Sequence, residues 1–244
     1  MLRKIYHKFL EKIKVTQILK NQEQQLRNQD EILKGLIFNS TIIDSEWLKY
    51  KSFSPGVWAA DYGLLYTLYR VLNGIKPQSI LEFGLGQSSK LIHQYANHFH
   101  ISAITCEHDE SWIKFFEEGK DGNYKVKTKL LELETTQYNG FDTLSYKHIQ
   151  NIFKEQKFDL IVVDAPFGSE HYSRSQIIQL AQNNLHDSFC IIIDDSERNG
   201  EKETICEVKR ILNSNGIDFC ERLYSASKQH YLICSKDLVF LTSL

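Results

Sequence analysis

The sequence predicts an α/β protein: a doubly wound, mostly parallel sheet preceded by an N-terminal helical extension. Three observations carry this. Four short apolar runs, Ser79–Phe83, Ser102–Glu107, Phe158–Asp164 and Ser188–Ile193, have the look of buried strands, and each carries or meets an acid at its end: Glu82, Glu107, Asp164 and Asp194–Asp195. Helical patterns separate them, the alternation that calls for parallel strands with helices on both faces. The first run leads through Gly84 and Gly86 straight into a helical pattern opened by Ser88 and Ser89.

In chain order, Leu2 to Phe38 contains no proline and only one glycine, Gly35. Leu2, Ile5, Phe9, Ile13, Leu19, Leu26, Leu33 and Leu36 fall near helical or heptad spacing, which predicts one long helix or two shorter ones. The stretch is an arm packed on its own domain or a dimerising helix, because a mostly polar helix is poorly stable alone. Its first turns are basic (Arg3, Lys4, Lys8, Lys12, Lys14), which would also suit a membrane surface. The division read from this is an extension over 1–50 and a ligand-binding domain over 51–244. Ser54-Pro55-Gly56 is a turn. Val57–Leu72 then reads as a helix with Ala60, Leu64, Leu65, Leu68 and Val71 inward, and Trp58 and Tyr62 one turn apart, as core or as walls of a ligand site. After Glu107, His108 and Asp109 lead into a helix over 110–118 that carries Trp112. Tyr124–Leu133 is expected as the third strand, with Val126, Leu131 and Leu133 inward and Glu132 or Glu134 near its end. Phe141–Gln156 is expected as the next helix, broken or long. The loop Ala165-Pro166-Phe167-Gly168 follows the fourth strand, then a helix over Tyr172–Leu185. After the fifth strand, Glu201–Leu212 is a helix, and Ile217–Leu223 and Gln229–Cys234 are final strands joined by Tyr224–Lys228.

The strand, glycine turn and helix start form a nucleotide-cradling unit. Glycine lets the chain turn with positive φ and lets a ligand approach bare backbone, and the first N–H groups of the helix are free to meet polar atoms. Glu107, one strand over, is placed to accept two ribose hydroxyls. Two acids on adjacent strands suit a ligand with an amino group and a ribose better than a dinucleotide, whose fingerprint wants a third glycine where this chain has Ser89. ILEFGLGQSS (Ile80–Ser89) resembles motif I of the class I S-adenosylmethionine-dependent methyltransferases, and CEHDESW (Cys106–Trp112) resembles the acidic motif that follows it. The resemblance spans about Trp58–Ser235 and points to the branch of small-molecule and sugar O-methyltransferases often found with polysaccharide biosynthesis. It implies the seven-stranded methyltransferase order with one antiparallel strand. Cofactor-binding residues would be Glu82, Gly84, Gly86, Ser88, Ser89, Glu107, His108, Trp112, Asp164 and Trp58, with a sugar or glycan hydroxyl as acceptor.

Acids at neighbouring strand ends repel unless cations or donors meet them. The amino group and ribose of the cofactor would satisfy Glu82 and Glu107. For the others two resolutions stay open. The resemblance to catechol-type and macrolide-sugar O-methyltransferases implies Asp164, Asp194 and Asp195 as ligands of Mg²⁺ or another divalent cation, which would lower the pKa of an acceptor hydroxyl. The catechol type has a lysine three residues after the strand-four acid, and here that position is Phe167. In the metal-free alternative Asp164 or Asp195 is the general base, and His171, Arg174 or Arg198 supplies positive charge or a proton path. On the bland readings Arg198 simply pairs with Asp195 and His171 is a solvated loop histidine.

With 244 residues and 42 % hydrophobic content, the chain supports one full α/β core plus a small extension. A net charge of −2 provides no global field for nucleic acid, and no Asn-Pro-Pro-Tyr-type base-flipping motif follows the fourth strand. No apolar run approaches the ~18 residues of a membrane span. Five cysteines without metal-type pairing (Cys106, Cys190, Cys206, Cys220, Cys234) read mostly as core residues of a protein in a reducing, cytoplasmic compartment. A dinucleotide oxidoreductase is disfavoured by the missing third glycine and by Glu82. A cofactor-binding scaffold without catalysis, working through its N-terminal helix, is the reading from another class.

Overall fold

The computed structural model describes residues 2–56, 59–120, 122, 124–125 and 127–244, and for residues 2–13 the backbone alone. The N-terminal pattern forms one helix, α1 (Leu2–Ile42), not two. Its last turns bury Phe38 and Ile42 against α2 (Tyr62–Ile75). That second helix starts later than the expected Val57. Asp61 is extended (φ −78°, ψ 170°), and its carboxylate caps the helix by accepting from Leu64 N–H at 2.8 Å. Val57 and Trp58 lie outside the described residues, so the expected Trp58 site contact does too. Tyr62 turns toward α1, with its ring 5.9 Å from that of Phe38, and does not wall a ligand site.

Seven strands form one sheet, in the order β3 (Thr128–Leu130), β2 (Ser102–Glu107), β1 (Ser79–Phe83), β6 (Phe158–Val163), β7 (Leu185–Ile193), β9 (Gln229–Ser235), β8 (Phe219–Ser225). Within this sheet β9 alone runs against the direction of the other six strands. This is the order implied by the resemblance to class I methyltransferases. Side chains alternate between two layers. Ile80, Leu160, Val162 and Ile192 face α1, α2 and α3 (Gln87–Phe99), while Leu81, Ile161, Val163 and Ile193 face α6 (Gln176–Asn183) and α7 (Asn199–Ser214). Cys106, Cys190 and Cys234 are buried as expected of core residues, whereas Cys206 on α7 is exposed. No helix among the described residues is long and apolar enough to cross a membrane.

The region between β3 and β6 departs from expectation. The third strand is only three residues long, and Val126 is outside the described residues. The expected helix over 141–156 is instead strand β5 (Phe141–Tyr146) and a single turn, α5 (Ile149–Ile152). Strand β5 pairs antiparallel with β4 (Leu133–Tyr138). Asn139 (φ 48°) and Gly140 (φ 84°) join them as a tight turn whose left-handed residues match strand twist. Helix α6 starts at Gln176 instead of Tyr172, because Tyr172 (φ 44°) and Arg174 (φ 59°) are left-handed and no helix passes through them.

Strands β1 and β6 are neighbours, but the chain leaves β1 toward β2 and reaches β6 much later. The carboxyl ends of β1 and β6 therefore flank the point where the sheet reverses its winding, the crevice where open α/β sheets bind ligands. A carboxyl group braces this point from below. Glu82 is fully buried, accepting from Ser88 Oγ and Thr105 Oγ1, both at 2.7 Å, with His93 Nε2 4.0 Å away. Burial outweighs these hydrogen bonds and pushes its pKa up to about 7. A carboxyl with a raised folded-state pKa stabilises the fold while it is protonated. That contribution is full below about pH 4.5 and lost as pH rises through about 7, up to about 3 kcal/mol. In thermal unfolding followed from pH 4.5 to 8, wild type is therefore expected to lose ground steadily to Glu82→Gln. A melting-temperature gap between the two that is flat across this range would contradict the assignment.

Candidate active site

The glycine turn is shaped by one close approach and one opening. Gly84 has φ +99°, and a Cβ there would lie 3.0 Å from Ala165 Cβ and 3.3 Å from the Asp164 carbonyl, so both backbone angle and space exclude a side chain. Gly86 is different. Its backbone is extended (φ −168°), and a Cβ would meet nothing within 4 Å. Among the described residues, bare backbone thus faces open space at the switch point. Neighbouring groups hold the turn. Gly86 N–H donates to Ser89 Oγ at 2.9 Å, and Leu85 N–H donates to Glu107 Oε2 at 3.0 Å. The other Glu107 oxygen accepts from His108 N–H (2.6 Å) and Asp109 N–H (3.1 Å), with His108 Nδ1 2.8 Å away. Asp109 caps α4 (Glu110–Gly119) through Ser111 and Trp112 N–H, and this aims Trp112 Nε1 at the Leu85 carbonyl, 2.6 Å away. Trp112 remains 41 % exposed, and Phe167 packs edge-on against His108.

The structure brings Gly84, Gly86, Glu107, His108 and Trp112 together around the turn. Glu82, Ser88 and Ser89 do not reach the opening: all three are buried beneath the turn, Ser88 hydrogen-bonded to Glu82 and Ser89 to the Gly86 N–H.

One strand away lies a dense charge cluster. Asp164, Asp194 and Asp195 follow β6 and β7, with carboxylate oxygens within 4.8 Å of one another. Arg174 is buried among them. Its Nη2 lies 2.6 Å from Asp195 Oδ2 and 3.3 Å from Asp164 Oδ1, and its Nη1 donates to the carbonyls of Asp194 (2.8 Å) and Val163 (3.3 Å). Nε is 3.7 Å from the fully buried Glu201. Lys228 Nζ stands 3.4 Å from Asp194 Oδ2 and 3.5 Å from Asp195 Oδ1, and Arg198 Nη1 is 3.0 Å from Asp195 Oδ2. Asp194 Oδ1 and Asp195 Oδ1 are buried with no hydrogen-bond partner. Tyr172, Arg174 and Asp195 (φ 56°) are all left-handed, a concentration of strain at about 1–3 kcal/mol each that the surrounding contacts hold in place.

The acids differ in electrostatic state. Burial pushes Asp164 up against the pull of Arg174 and Lys228, and burial together with Asp164 pushes Asp194 well above the carboxylate range. Burial also acts to raise Asp195, but Arg174, Lys228 and Arg198 outweigh it and hold that group below its ordinary value. Asp195 is the ionised anchor. Asp164, with 16 % of its side chain exposed, is the one that reaches the crevice with raised basicity.

His171 is not part of this cluster. Its Nδ1 pairs with Glu203 at 3.0 Å, and its ring packs on Phe141 at 4.0 Å. Arg198 pairs with Asp195, as the plainer reading had it. Sequence reasoning missed Lys228, Glu201 and Asp61. Asp61 Oδ2 accepts from Lys228 N–H (2.9 Å) and Ser227 Oγ (3.1 Å), and a Cβ on Gly63 would come within 2.6 Å of Ala226 Cβ. The α2 N-terminus thus seats the β8–β9 turn and aims Lys228 at the acids. Nothing in local spacing links Lys228 to Asp194, 34 residues earlier.

No family model matches the chain, and no curated protein does. Among solved structures it is similar to an O-methyltransferase from Bacillus cereus in complex with SAH, at 16 % identity, 85 % of this chain, 91 % of that one and a TM-score of 0.47. It is also similar to an SAH-bound methyltransferase of Podospora anserina, at 15 % identity, 85 % and 88 % coverage and a TM-score of 0.46. A methyltransferase of Pyrococcus furiosus is a third, at 14 % identity, 84 % and 96 % coverage and a TM-score of 0.45. Likenesses this distant decide nothing about the site, and the fold rests on the chain's own strand order.

Proposed function

We propose that the protein is an S-adenosylmethionine-dependent methyltransferase acting on a hydroxyl of a small polar acceptor, a sugar or glycan. The observation that carries this is the open backbone at Gly86, with Glu107 on one side and Asp164, beside Gly84, on the other. It is a cradle that any side chain would fill, between an acid suited to ribose hydroxyls and an acid suited to a proton.

The cofactor supplies an already activated methyl group, so the protein must align the groups, exclude water and take up one proton. Glu107 binds ribose hydroxyls while its backbone partners fix its orientation. Trp112 flanks the turn as an aromatic wall. Asp164 accepts the acceptor's proton, its raised basicity bringing it nearer the working pH than Asp195. Arg174 and Lys228 offset the negative charge that builds on the acceptor oxygen and the acids.

A divalent cation is the second reading. Three hard carboxylates within 4.8 Å, two of them with a buried oxygen that makes no hydrogen bond, fit such an ion. Asp164, Asp194 and Asp195 would hold it, and it would acidify the acceptor hydroxyl. Against it, Arg174 and Lys228 already stand between these carboxylates as built-in cations.

Two measurements test these readings. In thermal shift, S-adenosylhomocysteine is expected to raise the melting temperature by several degrees and NAD to leave it unchanged. Glu107→Ala should weaken nucleoside binding at least about tenfold, or ~1.4 kcal/mol. A shift with NAD alone would replace the methyltransferase reading. In calorimetric titration, Mg²⁺ and Mn²⁺ are expected to give no binding heat. Binding that is lost in Asp164→Asn would establish the metal reading instead.

A further inference from the structure

Helix α1 carries a seven-residue repeat that its own domain does not use. Leu19-Lys20-Asn21-Gln22-Glu23 recurs as Leu26-Arg27-Asn28-Gln29-Asp30, and Leu33-Lys34 opens a third turn of the pattern. Written as heptads, Leu19, Leu26 and Leu33 are a positions, and Val15, Gln22, Gln29 and Leu36 are d positions. Ile18 and Ile32 widen the stripe at g. Among these, Val15, Ile18, Leu19, Leu26, Ile32, Leu33 and Leu36 are each between 54 % and 66 % exposed.

The repeat is not the face on which the helix docks to its own body. Gly35, Phe38 and Ile42, the buried residues of α1, occupy c and f positions on the opposite side. Residues 14–30 are exposed throughout, so about 25 Å of helix projects beyond the body. Its polar side is internally satisfied, with Gln17 bonded to Asn21 at 3.1 Å and Gln24 to Asn28 at 3.0 Å. The leucine stripe has nothing over it among the described residues.

We propose that α1 pairs with α1 of a second copy of this chain, as a parallel, in-register two-stranded coiled coil over residues 15–36. Four features select this occupant. A seven-residue apolar repeat fits a partner helix of the same period, not a flat surface. Gln22 and Gln29 each carry a donor and an acceptor in one amide, so each satisfies its own counterpart at the core of a two-fold pair. In the antiparallel alternative the acids Glu23 and Asp30, both at e, would face each other across the seam, whereas parallel pairing sets them against Ile18 and Gln25 at g. Three heptads of paired helix bury on the order of 1,000 Å² or more in total, the scale of a specific interface. The docked c/f face keeps each body clear of its partner's seam.

The test uses the full chain. Sedimentation equilibrium is expected to show a dimer for wild type and a monomer for Leu26→Glu/Leu33→Glu. That variant should keep its near-ultraviolet circular dichroism and its response to S-adenosylhomocysteine, because the seam touches neither core nor site. In a Cys206→Ser background, Gln22→Cys is expected to oxidise to a disulfide-linked dimer. A monomeric wild type would overturn the proposal and leave the stripe to a different protein. So would a dimer that the double substitution leaves intact, a trimer or tetramer, or a Gln22→Cys protein that does not cross-link. None of these outcomes bears on the methyltransferase reading, which the nucleoside response tests separately.

Discussion

A single buried guanidinium makes the site possible. Asp164, Asp194 and Asp195 at the ends of β6 and β7, with Glu201 at the start of α7, would repel one another at close quarters in a poorly solvated edge. Arg174 sits among all four, and its planar fork meets two carboxylates and two backbone carbonyls at once. Lys228 and Arg198 complete the neutralisation from outside. Removing one member of a buried ionic network costs about 3–5 kcal/mol, because the remaining charges are left without partners. The same contacts hold Arg174 and Asp195 in left-handed backbone, a local strain that the network offsets.

The strand order brings this cluster beside the glycine turn. Gly84 lies against the backbone of Asp164, since β1 and β6 are paired neighbours although β1 ends at Phe83 and β6 begins only at Phe158. The two halves of the site are therefore tied together by sheet register. Glu82 holds the turn from below through Ser88 and Thr105, and Asp109 and Trp112 hold it from the side. Among the described residues, nothing covers the Gly86 face.

Much of this could be read from the chain because it is local. Buried parallel strands announce themselves as apolar runs, and acids at their ends mark the ligand edge. The turn and the Glu107 motif end consecutive strands of one strand–helix–strand unit, so their convergence follows from the pairing of β1 with β2 alone. What sequence reading missed was either long-range or two-sided. Lys228 reaches Asp194 and Asp195 only because Asp61 and Gly63 of a distant helix seat its turn. His171 stood at the right place in the sequence, but Glu203 turns it away. Glu82 carried the right residue type and points into the core. The β4–β5 hairpin had a local signal in Asn139-Gly140, which was masked by Ile149, Ile152 and Phe153 falling at helical spacing just beyond it.

The central claim is that bare backbone at Gly86 seats a sulfonium nucleoside, and Gly86→Val tests it most directly. The extended φ and the empty surroundings leave only the loss of a good helix N-cap, so the valine should give a folded protein with a melting temperature within about 5 °C of wild type. Calorimetry with S-adenosylmethionine should then show binding to wild type and none to Gly86→Val. Equal affinity in the two proteins, or no binding to folded wild type, would contradict the account.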